Sequence, residues 1–266
     1  MERRVKVLVH GVLGKMGQEV LSAVCRDPKL EVVAGVDTKA AKKEILLPDG
    51  SSSLPLSKDL ESVLHSCHPD VLVDFTTAEA MMPAVRTAVK HGVALVIGTT
   101  GLSDADLNEI KSLCKKKGVG AVVAPNFTIA AVVMMHLAKV SARFFDYAEI
   151  IEMHHEQKLD APSGTALATA RDMVQARGSN FVHVSAKKES IAGSRGGDLG
   201  GVALHSVRMP GLLAHQEVIL GAAGQTLRIR LDQINREAFM PGVTLAIKKA
   251  AELKEAVFGL DKLLGL

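Results

Sequence analysis

Val5-Lys6-Val7-Leu8-Val9-His10-Gly11-Val12-Leu13-Gly14-Lys15-Met16-Gly17 decides the fold of this 266-residue chain. A short apolar run, residues 5–10, closes on a glycine. From Lys15 onward Met16, Val20, Leu21 and Val24 recur at helical spacing as far as residue 26. Strand, glycine-rich turn and helix thus follow one another directly. In such a unit the first glycine allows a tight turn, the second lets backbone approach a pyrophosphate, and the third lets helix pack closely on strand. The spacing is GxxGxxG rather than GxGxxG, so context has to carry the reading. A second apolar strand, 30–36, ends at Asp37, 20 residues beyond Gly17, where a carboxylate can accept hydrogen bonds from a ribose diol. Glycines that merely end a strand are the alternative; the context favours dinucleotide binding.

The same alternation continues. Runs rich in Val, Ile and Leu at 71–75, 94–97 and 121–123 are separated by helical patterns near 60–65, 82–91 and 105–117. Continuously apolar strands with intervening helices imply a parallel sheet covered on both faces. In such a sheet ligands bind outside the carboxyl ends of the strands. Phe75-Thr76, Gly98-Thr99-Thr100-Gly101 and Ala124-Pro125-Asn126-Phe127 stand at three of those ends and are expected to line one cleft with the glycine-rich loop. Residues 48–57, LPDGSSSLPLS with its leading Leu47, read as a surface loop.

Beyond residue 128 the pattern changes. After a helix over 129–144, strands are expected at 148–153, 182–185, 202–207, 217–222 and 226–232 with few helices between them. That is a mixed or antiparallel sheet and a second domain. The chain is therefore expected to be α/β: a Rossmann-like dinucleotide-binding domain over 1–127 and an α+β domain with a mixed, largely open sheet over 128–235. A C-terminal helix within 236–266 would return to the first domain. Too little helix to cover both faces of the second sheet leaves an apolar face to be buried against another subunit.

Composition narrows the class. Net charge is +3 and the aromatic content is 3%, with no Trp and one Tyr, which argues against a nucleic-acid surface built on base stacking. No apolar run approaches the ~20 residues that span a bilayer. Cys25, Cys67 and Cys114 stand apart with no CxxC spacing, as in a reducing compartment. The start, MERRVKVLVHG, lacks the form of a cleavable signal, and a cytoplasmic protein is expected.

The chemistry concentrates in Ile151-Glu152-Met153-His154-His155-Glu156-Gln157-Lys158-Leu159-Asp160-Ala161-Pro162-Ser163-Gly164-Thr165. Two imidazoles and an ammonium precede a Pro-Ser-Gly-Thr turn, and 163–175 reads as a helix whose first amides face what those cations contact. The arrangement suits a small dianionic substrate that must also receive a proton. A solvated loop is the plainer reading of these residues taken alone. Metal binding is not expected here: the histidines are adjacent rather than i,i+4, and no cysteine completes a tetrahedral set.

HGVLGKMG, DFTT, GTTG, APNF, HHEQKLDAPSGTA, HSVRMPGLLAHQEVILG and NREAFMPGV, in that order, resemble the motif series of the dihydrodipicolinate reductase family over nearly the whole chain. The resemblance implies NAD(P)H-dependent reduction of 4-hydroxy-tetrahydrodipicolinate in the diaminopimelate route to lysine. It also implies a homotetramer associated through the second-domain sheets. By the same resemblance His154 is the catalytic acid/base and Lys158 the proton donor, while His155, Gly164 and Thr165 contact the substrate carboxylates; the chemistry of the helix start adds the amide of Ser163 to that set. Gly11, Val12, Leu13, Gly14, Lys15, Met16, Asp37, Gly98, Thr99, Thr100, Ala124, Pro125, Asn126 and Phe127 would bind the cofactor. The sequence departs from the family at Thr128 and Ala130, where Ser and Gly are common, and at Ala203, where Gly is common. Asp37 is followed by Thr38 and not by an arginine, so a 2′-phosphate would meet a carboxylate without an adjacent guanidinium. Lys15, Lys39, Lys42 and Lys43 are the compensating charges at hand, and both NADH and NADPH are expected to serve, NADH at least as well. Two rivals are weighed. A semialdehyde dehydrogenase needs a nucleophilic thiol, which none of the cysteines supplies at this site; a non-catalytic dinucleotide-sensing regulator needs a DNA-binding or partner surface that is not found.

Overall fold

The computed structural model describes residues 3–266; Met1 and Glu2, from the basic start of the sequence, lie outside the described residues. In chain order the first elements are β1 (Val5–His10), α1 (Lys15–Arg26), β2 (Leu30–Val36), β3 (Glu44–Leu46), β4 (Ser53–Ser57), α2 (Leu60–Cys67) and β5 (Val71–Asp74). Then come α3 (Ala78–Lys90), β6 (Ala94–Ile97), α4 (Asp104–Lys117), β7 (Ala121–Val123) and α5 (Ile129–Ser141). The middle holds β8 (Tyr147–His154), α6 (Gly164–Arg177), β9 (Gly197–Leu199), β10 (Val202–Arg208), β11 (Ala214–Ala222) and β12 (Gln225–Gln233). The chain closes with α7 (Met240–Glu252), β13 (Ala256–Phe258) and α8 (Asp261–Leu264). Two compact units result: one runs to Ile129 and resumes at Phe239, the other spans Ala130–Ala238.

The first unit is built on an eight-stranded sheet ordered β13-β7-β6-β5-β1-β2-β4-β3, parallel except for β3. Strands β5, β6 and β7 are buried at every position, as both-face coverage by helices demands. Order reverses at β1, with β2 on one side and β5 on the other. The ends of β1, β2, β5, β6 and β7 therefore lie along one edge, at the switch point where doubly wound sheets bind ligands. Helix α4 starts on a full capping box, Ser103 accepting from the Asp106 amide and Asp106 from the Ser103 amide.

The second unit packs α6 on a five-stranded sheet ordered β12-β11-β8-β10-β9, in which only the β8–β10 pair is parallel. Its core joins Ala166, Ala170 and Met173 of α6 to Ile150, Leu204, Val218 and Leu220 of the sheet. Burying a Leu, Ile or Met side chain contributes about 1.5–3 kcal/mol each, so this one face is enough to hold α6 on the sheet.

Several expectations are corrected. Residues 53–57 are a strand and not loop: Leu54 and Leu56 alternate inward and pair β4 with β2 and β3, a period of two hidden beneath the serines and Pro55. Residues 182–185 form no strand. Val182 and Val184 are exposed, so alternation there has no buried face, and the segment is tied only by single bonds such as the Val182 amide to the Asp146 carbonyl, 2.8 Å. The expected helix over 129–144 tightens into a 3-10 turn at Ala142–Phe144, and the C-terminal helix expected within 236–266 starts with one at Arg236–Phe239. The sheet face opposite α6 is less apolar than expected. Ile151, Met153 and Ile219 share it with ion pairs of Glu149 to Arg195 (2.6 Å) and His205 (2.9 Å), and of Glu217 to Arg228 (3.1 Å) and Arg230 (3.5 Å). Among the described residues no helix is long and apolar enough to cross a membrane.

Candidate active site

In the first unit the turn after β1 is fixed from below. The Gly11 amide donates to the Val36 carbonyl, 2.8 Å, and the Gly14 amide to the Gly11 carbonyl, 3.0 Å. A Cβ placed on Gly17 would stand 2.1 Å from the Gly11 carbonyl oxygen, so only glycine lets α1 start this close to the strand. Gly14 caps α1 with no side-chain hydrogen bond, which leaves the first helical amides to a ligand. Val12 is buried, whereas Leu13, Gly14 and Lys15 are exposed and Met16 partly so. Asp37 is buried at the end of β2; its Oδ2 accepts from the Leu13 amide at 3.0 Å and its Oδ1 from the Lys39 amide at 2.9 Å. Each oxygen keeps a lone pair, and the carboxylate is locked in place beside the glycine-rich turn.

The remaining strand ends meet on one acceptor. Asp74, fully buried at the end of β5, accepts from His10 Nδ1 at 2.5 Å and from the Thr99 hydroxyl at 2.6 Å. The Thr76 amide and hydroxyl also donate to it, at 3.1 and 2.9 Å. The ends of β1, β5 and β6 are thereby tied together. Above them the Phe75 ring covers Gly98, where a Cβ would fall 2.1 Å from the ring, and meets buried Phe127 edge-on at 5.9 Å. The structure thus sets Gly11 to Met16, Asp37, Phe75, Gly98 to Thr100 and Ala124 to Phe127 along one sheet edge. Asp74 and His10 were not singled out in the sequence; a charged residue closing an otherwise apolar strand was the available signal.

In the second unit β8 ends at His154, and alternation along the strand puts Glu152 on the same face. His154 Nδ1 lies 2.6 Å from Glu152 Oε2. A carboxylate can only accept there, so Nδ1 carries the proton and Nε2 is the nitrogen left to a substrate. Glu152 is fully buried. Arg208 Nη1 and Nη2 donate to its two oxygens at 2.8 and 2.7 Å, and the Ser163 amide to Oε1 at 3.1 Å. Burial works to raise its pKa, but hydrogen bonds from His154, Arg208 and Ser206 prevail and hold it at about 2. Lys158 Nζ donates to Asp160 Oδ1 at 2.7 Å, which lowers the Asp160 pKa, and Arg208 Nη2 also reaches the Asp160 carbonyl at 2.6 Å.

Ser163 differs from expectation. Its amide is committed to Glu152 and its hydroxyl accepts from the Ala166 amide at 3.2 Å, capping α6. The open amides at this helix end are those of Gly164 and Thr165, and a Cβ on Gly164 would meet nothing within 4 Å. His155 is half-buried, directly after the end of β8. Glu152 and Arg208 are the members that sequence reasoning passed over. The first was legible two residues before His154 on the same strand face. The second is placed opposite His154 only by the β8–β10 register.

Residues 5–127 match the family model described as dihydrodipicolinate reductase, N-terminus, and residues 130–264 the model described as its C-terminus. The 4-hydroxy-tetrahydrodipicolinate reductase of Dehalococcoides mccartyi is 55% identical over 98% of this chain and 99% of its own. That of Syntrophomonas wolfei is 48% identical over 99% and 100%. A dipicolinate-bound dihydrodipicolinate reductase from Paenisporosarcina sp. TG-14 superposes with a TM-score of 0.87 at 40% identity, covering 97% of this chain and 99% of that one. With both halves matched and full-length relatives this close, the chain belongs to the dihydrodipicolinate reductase family.

Proposed function

We propose that this chain reduces 4-hydroxy-tetrahydrodipicolinate to tetrahydrodipicolinate, the substrate hydroxyl leaving as water while one hydride and one proton are added. The observation that carries the reading is the His154–Glu152–Arg208 arrangement beside the open amides of α6, in a chain of this family. A bound NAD(P)H supplies the hydride. The glycine-rich turn, the uncapped start of α1 and the carboxylate of Asp37 form a cradle that fits its pyrophosphate and adenosine ribose.

Glu152 holds the His154 ring by Nδ1–H, and His154, entering the step as the imidazolium with both nitrogens protonated, delivers the proton from Nε2 and is left neutral. The Gly164 and Thr165 amides, His155 and Lys158 bind the two carboxylates, with Lys158 turning from Asp160 to the substrate or donating a proton in its own right. A charge-assisted hydrogen bond is worth about 1.5–3 kcal/mol, so Lys158→Ala is expected to lower kcat/KM by roughly 10- to 100-fold and to raise KM. Steady-state kinetics at saturating cofactor check it; an unchanged KM would remove Lys158 from substrate binding. The reaction itself is tested with freshly generated substrate by following nicotinamide oxidation, and a chain that binds cofactor without turnover would overturn this reading.

Both nicotinamide cofactors serve, NADH at least as well as NADPH. Asp37 faces the ribose diol and repels a 2′-phosphate, whereas Lys15, Lys39, Lys42 and Lys43 are exposed and carry the compensating ammonium groups. An exposed ion pair contributes about 0.2–1 kcal/mol, so several must converge to balance one carboxylate. Asp37→Ala is expected to weaken NADH binding and leave NADPH binding equal or better, read by fluorescence titration of each. A wild-type specificity constant far higher for NADPH would refute the assignment of Asp37.

The chain acts as a homotetramer. Ile151, Met153 and Ile219, set among charged pairs on the sheet face opposite α6, form a mixed surface of the kind buried between subunits. Light scattering at micromolar concentration is expected to give four times the 28.2 kDa chain mass; a monomer would refute it.

A further inference from the structure

Three potential metal ligands converge on the first unit in a place the proposed reaction does not use. Glu61 and His65 stand one turn apart on α2, and His91 is the residue that closes α3. His91 Nε2 lies 2.8 Å and His65 Nε2 3.8 Å from the same oxygen, Glu61 Oε1. The two imidazoles meet at right angles with centroids 4.6 Å apart, and the three ligand atoms all lie within 4.8 Å of one another. Zn–N and Zn–O bonds of about 2.0–2.2 Å put tetrahedral ligand atoms roughly 3.3–3.5 Å apart, which these separations bracket. The His65 side chain is exposed and that of Glu61 partly so, and small side-chain adjustments are what the site would need.

We propose that Glu61, His65 and His91 form a binding site for a divalent transition-metal ion, with zinc as the best chemical match. Two neutral imidazoles and one carboxylate, with a position left for water, are a donor set zinc accepts readily. His91 sits at the carbonyl end of α3, where the helix dipole favours a cation. Among the described residues Lys90 competes for this site, its Nζ reaching Glu61 Oε1 at 3.4 Å; that side chain is largely exposed, and its flexible stem can withdraw. One ion would staple α2 to α3. Three residues beyond His91 the chain enters β6 at Ala94, so His91 lies at the amino-terminal edge of the sheet, opposite the glycine-rich turn.

Calorimetric titration of the chelator-treated full chain with Zn2+ alone tests this. The expected result is one saturable site per chain, with a rise of several degrees in Tm when zinc is in excess. Removing even an outer partner of a metal ligand weakens such sites by about 10–100-fold, so His65→Ala is expected to weaken zinc binding at least tenfold. Reductase turnover in that variant stays at the wild-type level. Lys90→Met, which removes the competitor and spares the ligands, is expected to tighten binding. Absence of saturable binding, or His65→Ala and wild type binding zinc equally, would overturn the proposal. Because these readouts need no turnover, failure of the metal site and failure of the reductase assignment are separate results.

Discussion

His154→Gln is expected to lower kcat by roughly 10²–10⁴, the span for losing a general acid, while the dissociation constant for the nicotinamide cofactor stays nearly unchanged. Glutamine keeps an amide near the imidazole position and can still hydrogen bond to Glu152, so the loop that follows β8 keeps its support. What disappears is the transferable proton on the nitrogen facing the substrate. Stopped-flow reduction under single-turnover conditions isolates that step from product release. Turnover near wild type would strip His154 of its role and shift proton delivery to Lys158.

Glu152→Gln is expected to lower kcat nearly as far, although Glu152 touches no substrate. Its carboxylate holds the imidazole by Nδ1 and anchors both Arg208 nitrogens and the Ser163 amide. An amide cannot accept from all of these donors, and its NH2 would face one of them. If Glu152 acts only through His154, the double variant His154→Gln/Glu152→Gln loses no more turnover than His154→Gln alone. Additive losses would show that Glu152 has a part of its own. Stability falls as well: breaking a buried ion pair on one side costs about 3–5 kcal/mol when the partner is left unpaired, a limit that Glu152→Ala approaches more closely than the glutamine variant. The pH dependence follows from the depressed pKa. The carboxylate's contribution is whole above its ordinary value of 4.5 and is lost as pH falls from there towards about 2. Acid unfolding of the wild type followed by circular dichroism therefore contains a component that both Glu152 variants lack.

The parts of the fold legible in the sequence were those whose pattern is local. β1, the glycine turn and α1 announce themselves because strand, turn and helix periods change within 13 residues, from Val5 to Gly17. β4 was obscured because Ser51, Ser52 and Pro55 carry turn chemistry while Leu54 and Leu56 carry the burial. The run at 182–185 misled for the opposite reason: Val182 and Val184 alternate, yet neither is covered. His154, His155 and Lys158 stood out by type, but it was the family resemblance that gave them roles. Arg208 did not stand out, because its place opposite His154 is a register between strands more than 50 residues apart. The cluster at His91 shows the same limit: Glu61 and His65 are an i,i+4 pair visible in one helix, and the third member comes from the next.

The junction at Asp74 bears on how this enzyme can change over generations. Its carboxylate serves as the common acceptor for His10, Thr76 and Thr99, which come from three separate strand ends. Losing any one donor leaves a buried lone pair unanswered, at a cost of about 1–3 kcal/mol, more because the group is charged. Losing the carboxylate deprives three residues of their common acceptor at once. These four positions are consequently coupled: a descendant that abandons His10 leaves Asp74 held by Thr76 and Thr99 alone, and one that changes Asp74 as well obliges Thr99 to find a new acceptor. Asp37, held by two backbone amides rather than by side chains, is under no such constraint from its partners' identities. Adaptation is therefore easiest at the end of β2, and the rim formed by β1, β5 and β6 drifts as a set or not at all.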